Sequence, residues 1–437
     1  MSFFFLFLLI IISVVYSQSN SFSQRQSFND VKNYSFSDID LLLDSVSMQL
    51  ETNPEKAFNF IEMAMILSLE EKDKTKQART FEVLGVYYKH FKQYDLAAMN
   101  YQKSARLYGA KNSRFFDNNL VAANLYLQAK EYQKSIDLFN LLLNSSVNKQ
   151  QKLLIQEGLG DNNYSAKLFT EALVNFKEAE KIAAELSQID KNTEIKLKIA
   201  IILIEINDEK ALQYLTEASK QAISTANGKL QLKSQNLLAE YYALNKMYKQ
   251  EIESRNSISN TLTENIDVLQ KQEINVSEES FRNNTSIAQA LNGQNQPDEA
   301  LDVIKKNEKL EQEKIGIEYK IEAAKTQSES YVELGLGNQA IESYKTYVDL
   351  VDELYKIKEN EINEVIDVAK KLTDNQNRIV LLEQDKQLFD IQLQSMEKDQ
   401  LLITESNKYQ RNLIILLFIV VALLVFALIS AFQRIRI

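Results

Sequence analysis

The chain has 437 residues, 45% of them hydrophobic, with only 9 Gly and 2 Pro, which argues against disorder and against a turn-rich β architecture and favours long helices. Fifty basic and 60 acidic side chains give a net charge of −10; without a Lys/Arg block to neutralise a phosphate backbone, nucleic acid is not an expected partner. With no Cys and one His, disulfides are excluded and too few ligands remain for zinc or haem, so no cofactor or metal is expected.

From the N-terminus, Phe3 to Tyr16 form an apolar run too short to span a bilayer comfortably, followed by Ser17 and the polar stretch Gln18 to Ser27. This is the shape of a signal peptide over 1–17, with Val15 and Ser17 meeting the small-residue preference at the cleavage site, although no Lys or Arg precedes the run. A polar linker is expected over 18–37.

From 38 to 358 a spaced pattern recurs. Phe81, Leu84, Gly85 and Tyr88 are followed by Ala97 and Tyr101; Ala122, Ala123 and Tyr126 by Ser135 and Phe139; Leu159 and Gly160 by Ala172, Phe176 and Ala179. The spacing resembles the tetratricopeptide repeat, in which a small first-helix residue lets a second helix approach and an aromatic of that helix fills the groove. Taking the small second-helix residue as a ruler, anchors fall at Ala57, Ala97, Ser135, Ala172, Ala211, Glu251, Ala300 and Ala340. The steps cluster near 40 and predict about eight hairpins, with one wide step of 49 across the polar segment Asn256 to Ser286, where a loop or a break is expected.

From 359 to 410 the sequence predicts one coiled-coil helix whose seam is Val365, Val368, Leu372, Ile379, Leu382, Phe389, Leu393, Met396 and Ile403. Asn375, Lys386 and Gln400 interrupt the rows, and Leu381, Leu388 and Leu402 form a second apolar stripe able to receive a further helix. A homodimer through this seam is the expected assembly. The apolar stretch Leu413 to Phe432 then predicts a transmembrane helix over 411–432, with a tail at 433–437. Together with the leader, this predicts a single-pass protein of a bacterial inner membrane, lipid bilayer included among its partners, with 18–410 in the periplasm.

The order of leader, repeats near 40 residues, the helix containing NRIVLLEQDKQLFDIQLQ and the lead-in YQRNLIILLFIV resembles the sensor half of tetratricopeptide-containing histidine kinases and related membrane-anchored transcriptional regulators of Bacteroidota. The resemblance implies an all-α solenoid, a coiled coil and one membrane helix, acting as the input module of a two-component-like system. It also implies a cytoplasmic kinase or DNA-binding output, for which 433–437 is too short.

Nothing in the sequence points to catalysis. His90 sits in Tyr-Tyr-Lys-His-Phe-Lys at a helix end and is followed by Phe91, not by the acidic residue of a phosphoacceptor. Leu334 to Asn338 is a two-glycine turn without a phosphate-loop Lys, and pairs such as Glu70 and Glu71 belong to solvated faces. Binding remains. By register, a peptide groove on the first helices would include Glu82, Val86, Lys89, Asn124, Leu127, Glu157, Asp161 and Tyr164, a mixture of charge and aromatic suited to a peptide or protein ligand. A sensory receptor is the leading expectation and a scaffold or adaptor for assembly in the cell envelope is the alternative.

Overall fold

The computed structural model describes residues 38–435 other than 146, 226 and 311, and side chains within 38–412 other than that of Glu313. Among the described residues there is no strand. The helices are α1 (Ile39–Gln49), α2 (Pro54–Glu71), α3 (Lys74–His90), α4 (Tyr94–Tyr108), α5 (Ser113–Gln128), α6 (Tyr132–Leu143), α7 (Lys149–Ser165), α8 (Phe169–Glu185), α9 (Ile189–Glu205) and α10 (Lys210–Ile223). They continue with α11 (Gly228–Leu244), α12 (Tyr248–Glu264), α13 (Ile266–Lys271), α14 (Val276–Gly293), α15 (Pro297–Lys305), α16 (Ile317–Glu333) and α17 (Gly337–Ile435), with two 3₁₀ turns, Lys306–Lys309 and Gln312–Lys314, before α16. The chain divides into two compact units, residues 38–77 with 372–435, and residues 78–371.

In the unit spanning 78–371, consecutive helices form hairpins whose closeness is set by small residues. A Cβ built on Gly85 would lie 2.7 Å from the Tyr101 ring, and one on Gly160 2.6 Å from the Phe176 ring. Gly158, two residues earlier on the opposite side of α7, faces Phe139 of the preceding hairpin in the same way. One helix therefore receives an aromatic knob from each neighbour. Phe139 and Phe176 are buried, each burial contributing roughly 1.5–3 kcal/mol.

Seven first helices end in one motif. Lys92, Lys130, Lys167, Asn207, Lys246, Asn295 and Gly335 take φ between +54° and +69°. The next N–H in each case donates back to the carbonyl five residues earlier, as Glu131 to Tyr126 at 2.9 Å and Asp208 to Leu203 at 2.8 Å. This closes the Schellman turn and satisfies carbonyls that a helix end otherwise leaves unpaired. The second helix then starts at once.

The wide step contains a short extra helix. α13 inserts Leu269, fully buried, among Leu232, Ala239, Ile258 and Leu262. Its following residue, Gln272, accepts the Lys229 N–H at 3.0 Å and so caps the start of α11. The polar segment is thus folded into the array.

In the other unit, α1 and α2 form a hairpin. Asn53 caps α2 by accepting the Lys56 N–H at 3.0 Å, and Pro54 opens the helix where its missing N–H costs nothing. The hairpin meets α17. Arg378 pairs with Glu62, its Nε 3.2 Å from Oε1, and its guanidinium lies 5.1 Å from the centroid of the Phe58 ring. Leu372 and Ile379, two of the residues expected in a seam between subunits, are buried on this stretch of α17. Phe389, Met396 and Ile403 are exposed further along it, as is Val365 in the neighbouring unit; Val368 and Leu382 are half-buried and Leu393 is just exposed.

The inner-membrane, single-pass placement with a periplasmic array is corrected: among the described residues no helix is long and apolar enough to cross a membrane. Through residue 412, α17 carries Asp, Glu, Lys or Arg every few residues, a pattern a hydrocarbon core does not tolerate. The expected leader at 1–17 and linker at 18–37 lie outside the described residues. Of the stretch 411–432 and the tail at 433–437, the backbone continues α17 to Ile435, while the side chains from 413 onward lie outside the described set.

Candidate functional site

The first-helix residues expected to line a groove are partly consumed in joining repeats. Glu82 of α3 pairs with Arg114 of α5, and Asn118 of the same helix donates to Glu82 at 3.5 Å. Two repeats on, Lys198 of α9 reaches back to α7, with Nζ 2.8 Å from Glu157 and 2.7 Å from Asp161, while Lys191 lies 3.3 Å from Glu157 and 2.8 Å from Glu194. Lys198 also stands 5.5 Å from the centroid of the Phe176 ring.

Burial works against every charge in this cluster. For Glu157 the two ammonium groups outweigh it and hold the carboxyl below its ordinary value; for Lys198 the two carboxylates outweigh it and raise the ammonium. For Asp161 burial wins and lifts the carboxyl, Lys198 offsetting only part. Charges so fully engaged join adjacent first helices and leave little for a ligand.

Tyr164 packs against the core beside Phe169, ring centroids 6.0 Å apart. Val86, Lys89 and Asn124 are exposed, Asn124 donating to its own helix at Leu120 O, and Leu127 is half-buried. The expected set is therefore spread between inter-repeat ion pairs, core and open surface.

A different site forms at the C-terminal end of α9. Leu203, Ile204, Glu205, Asn207, Asp208, Glu209, Tyr241, Leu244 and Asn245 line a cleft of about 460 Å³. The left-handed turn at Asn207 brings Asp208 to the start of α10, where Oδ1 accepts the Lys210 N–H at 2.9 Å. On the other wall Leu244, the last residue of α11, is exposed, and Asn245 donates to Tyr241 O at 2.8 Å. Tyr164 belongs to the same end: burial raises its phenol pKa, and the Glu205 carboxylate adds to the rise.

Among the described residues no cation pairs with Glu205, Asp208 or Glu209, unlike the carboxylates of the Lys198 cluster. Three carboxylates around apolar walls of Leu203, Ile204, Tyr241 and Leu244 suit a side chain with an apolar stem and a cationic head. Register alone did not reveal this cleft, because its residues straddle the turn and not the groove positions. The run Ile-Glu-Ile-Asn-Asp-Glu at 204–209, acidic residues closing an apolar helix, was the available signal. No group of three or more His, Asp or Glu converges as a metal site among the described residues.

Comparison with known proteins gives a match to the family model of soluble NSF attachment proteins over residues 35–158, less than a third of the chain. Among curated proteins none matches the sequence. Similar solved structures include the apo form of RapI, 14% identical with a TM-score of 0.41, covering 64% of this chain and 99% of that one. A signal-transduction ATPase with numerous domains and a tetratricopeptide repeat sensor, from Pyrococcus horikoshii, is 14% identical with a TM-score of 0.47, covering 73% of this chain and 50% of that one. Aspartyl phosphate phosphatase F from Bacillus subtilis is 12% identical with a TM-score of 0.42, covering 74% and 92%. The chain's own spacing, turns and knob-in-groove glycines make it an all-helical array of tetratricopeptide-like hairpins.

Proposed function

We propose that the chain is a non-enzymatic binding module that holds a protein or peptide segment carrying basic and apolar side chains. The observation that supports this is the cleft at the end of α9, where Glu205, Asp208 and Glu209 stand without cationic partners beside exposed apolar surface. A sensory role, in which ligand occupancy is relayed along α17, is the leading form of the reading; a scaffold that holds its ligand without relaying anything is the alternative. The long uninterrupted helix supports the first.

The test is titration of the full chain with two synthetic peptides, one alternating Leu with Arg and one alternating Leu with Glu. The Arg peptide should bind, with an affinity that falls as salt rises, and Glu205→Gln with Glu209→Gln should weaken it about tenfold. Equal binding of both peptides, or an unchanged affinity in the double variant, would overturn the assignment. Asp208 is left intact because it caps α10.

A further inference from the structure

α17 carries a heptad seam that the α1–α2 hairpin occupies only in part. Along the occupied stretch α2 and α17 run parallel, with Glu62 at Arg378 and Lys72 3.7 Å from Asp390. Leu372 and Ile379 are 2% and 0% exposed there. α2 ends at Glu71, and Lys72 turns left-handed with φ +56°.

From Leu388 onward the rows continue in the open. Phe389, Met396 and Ile403 are 56%, 63% and 59% exposed, and Leu388 and Leu402 of the adjacent stripe are exposed as well. An exposed apolar stripe two heptads long is a surface that water covers at a cost.

The flanks indicate what covers it. The positions beside the seam between 385 and 404 are Asp385, Asp390, Gln392, Glu397, Asp399 and Thr404, with no Lys or Arg among them. In a parallel pair of copies Asp385 would face the other copy's Asp390, and in either orientation the flanking pairs are like-charged or neutral. Flanking charges choose the partner of a coiled coil, and these choose against a second copy. The contacts within the chain show the chemistry the acidic flank accepts, since Asp390 lies 3.7 Å from the Lys72 ammonium at the end of α2 and 3.4 Å from that of Lys386 on α17 itself.

We propose that residues 388–405 of α17 form a docking seam for an amphipathic helix of another protein with Lys or Arg at its flanking positions. The partner continues the interface that α2 begins.

Two synthetic amphipathic peptides of about four heptads, with Leu in the seam and either Lys or Glu at the flanks, serve as probes of the full chain by fluorescence anisotropy. The Lys peptide should bind about tenfold more tightly than the Glu peptide. Met396→Asp should abolish this, and Glu397→Lys with Asp399→Lys should reverse the preference. All three sites are exposed, so helicity should be unchanged; were Met396→Asp to lose helicity, the reversal by the charge pair decides. Equal affinity for the two peptides, no binding of either, or binding retained in a folded Met396→Asp chain would overturn the proposal. So would disulfide cross-linking of Met396→Cys chains to one another without peptide, which would make a second copy the occupant.

Discussion

Glu251 and Arg255 occupy in one hairpin the places that Ala172 and Phe176 occupy in another, and they meet there as a buried ion pair with Nε 3.1 Å from Oε1. Elsewhere the same two positions are Ala97 and Tyr101, Ser135 and Phe139, Ala211 and Leu215, and Ala300 and Ile304. Burial raises the Glu251 carboxyl pKa, Arg255 opposing only part of the rise. Asn283 of α14 donates to the Arg255 carbonyl at 2.9 Å and to Ser259 Oγ at 2.8 Å, so the next hairpin is joined to this polar knob.

Removing one partner strands the other charge in the interior. Glu251→Ala is therefore expected to destabilise by about 3–5 kcal/mol, whereas Glu251→Ala with Arg255→Leu, which restores the arrangement of Ala211 and Leu215, should equal or exceed the wild type. Urea unfolding midpoints of the three chains check this. A double variant as unstable as the single one would show that the pair is more than a substitute for an apolar knob.

The repeat was legible wherever its chemistry is apolar. Gly85 with Tyr101 and Gly160 with Phe176 announce a close approach because nothing larger than hydrogen fits beneath a ring. The Glu251 hairpin was placed by step length and not by residue type, because a charge pair satisfies the same geometry with opposite hydropathy. The turns were hidden, since four of the seven first helices end on a left-handed Lys, not on the Gly that marks such a turn. On α17 the heptad rows were visible, but a periodic stripe does not say whether α2 or another chain fills it. The acidic cleft was not read from register because its walls come from the end of α9 with its turn and from the end of α11, with all of α10 between them in the sequence.

Gly160→Ala tests the knob-in-groove account. A Cβ at 2.6 Å from the Phe176 ring is accommodated only if the ring shifts or α7 and α8 separate, and Phe176 is buried. The substitution should cost about 1–3 kcal/mol despite the better helix propensity of Ala. Pairing it with Phe176→Leu should recover part of the loss. A gain in stability from Gly160→Ala alone would mean the ring moves aside freely.

Lys130→Gly tests the turn. Lys130 holds φ +61° and is exposed, and it makes no ion pair among the described residues, so the substitution removes backbone strain without removing a contact. The strain of a side chain in this region is roughly 1–2 kcal/mol, and the extra freedom that Gly brings to the unfolded chain offsets part of it. A net gain of about 0.5–1 kcal/mol is expected for Lys130→Gly and a loss for Lys130→Val, read as opposite shifts of the thermal midpoint. Equal midpoints for Gly and Val would show that the turn is not under strain.

The Lys198 cluster sets a pH dependence whose sign differs between its members. Glu157, held below its ordinary 4.5, contributes stability that is present above that value and lost as pH falls through the folded pKa. Asp161, lifted above 3.8 by burial, works the other way: its ionised form is disfavoured by folding, and acid relieves that cost. Lys198, raised above 10.5, contributes stability that is complete below 10.5 and lost as pH rises through the folded value. Between about pH 6 and pH 3, Glu157→Gln should therefore flatten the acid loss of stability, and Asp161→Asn should steepen it by removing the opposing contribution. Lys198→Met should shrink the loss at the alkaline end and weaken the whole array, because two carboxylates are left at the α7–α9 contact without their main cation. Urea midpoints measured across both limbs distinguish these outcomes. Parallel acid limbs for the wild type, Glu157→Gln and Asp161→Asn would mean that the two carboxyls titrate alike and that Lys198 does not discriminate between them.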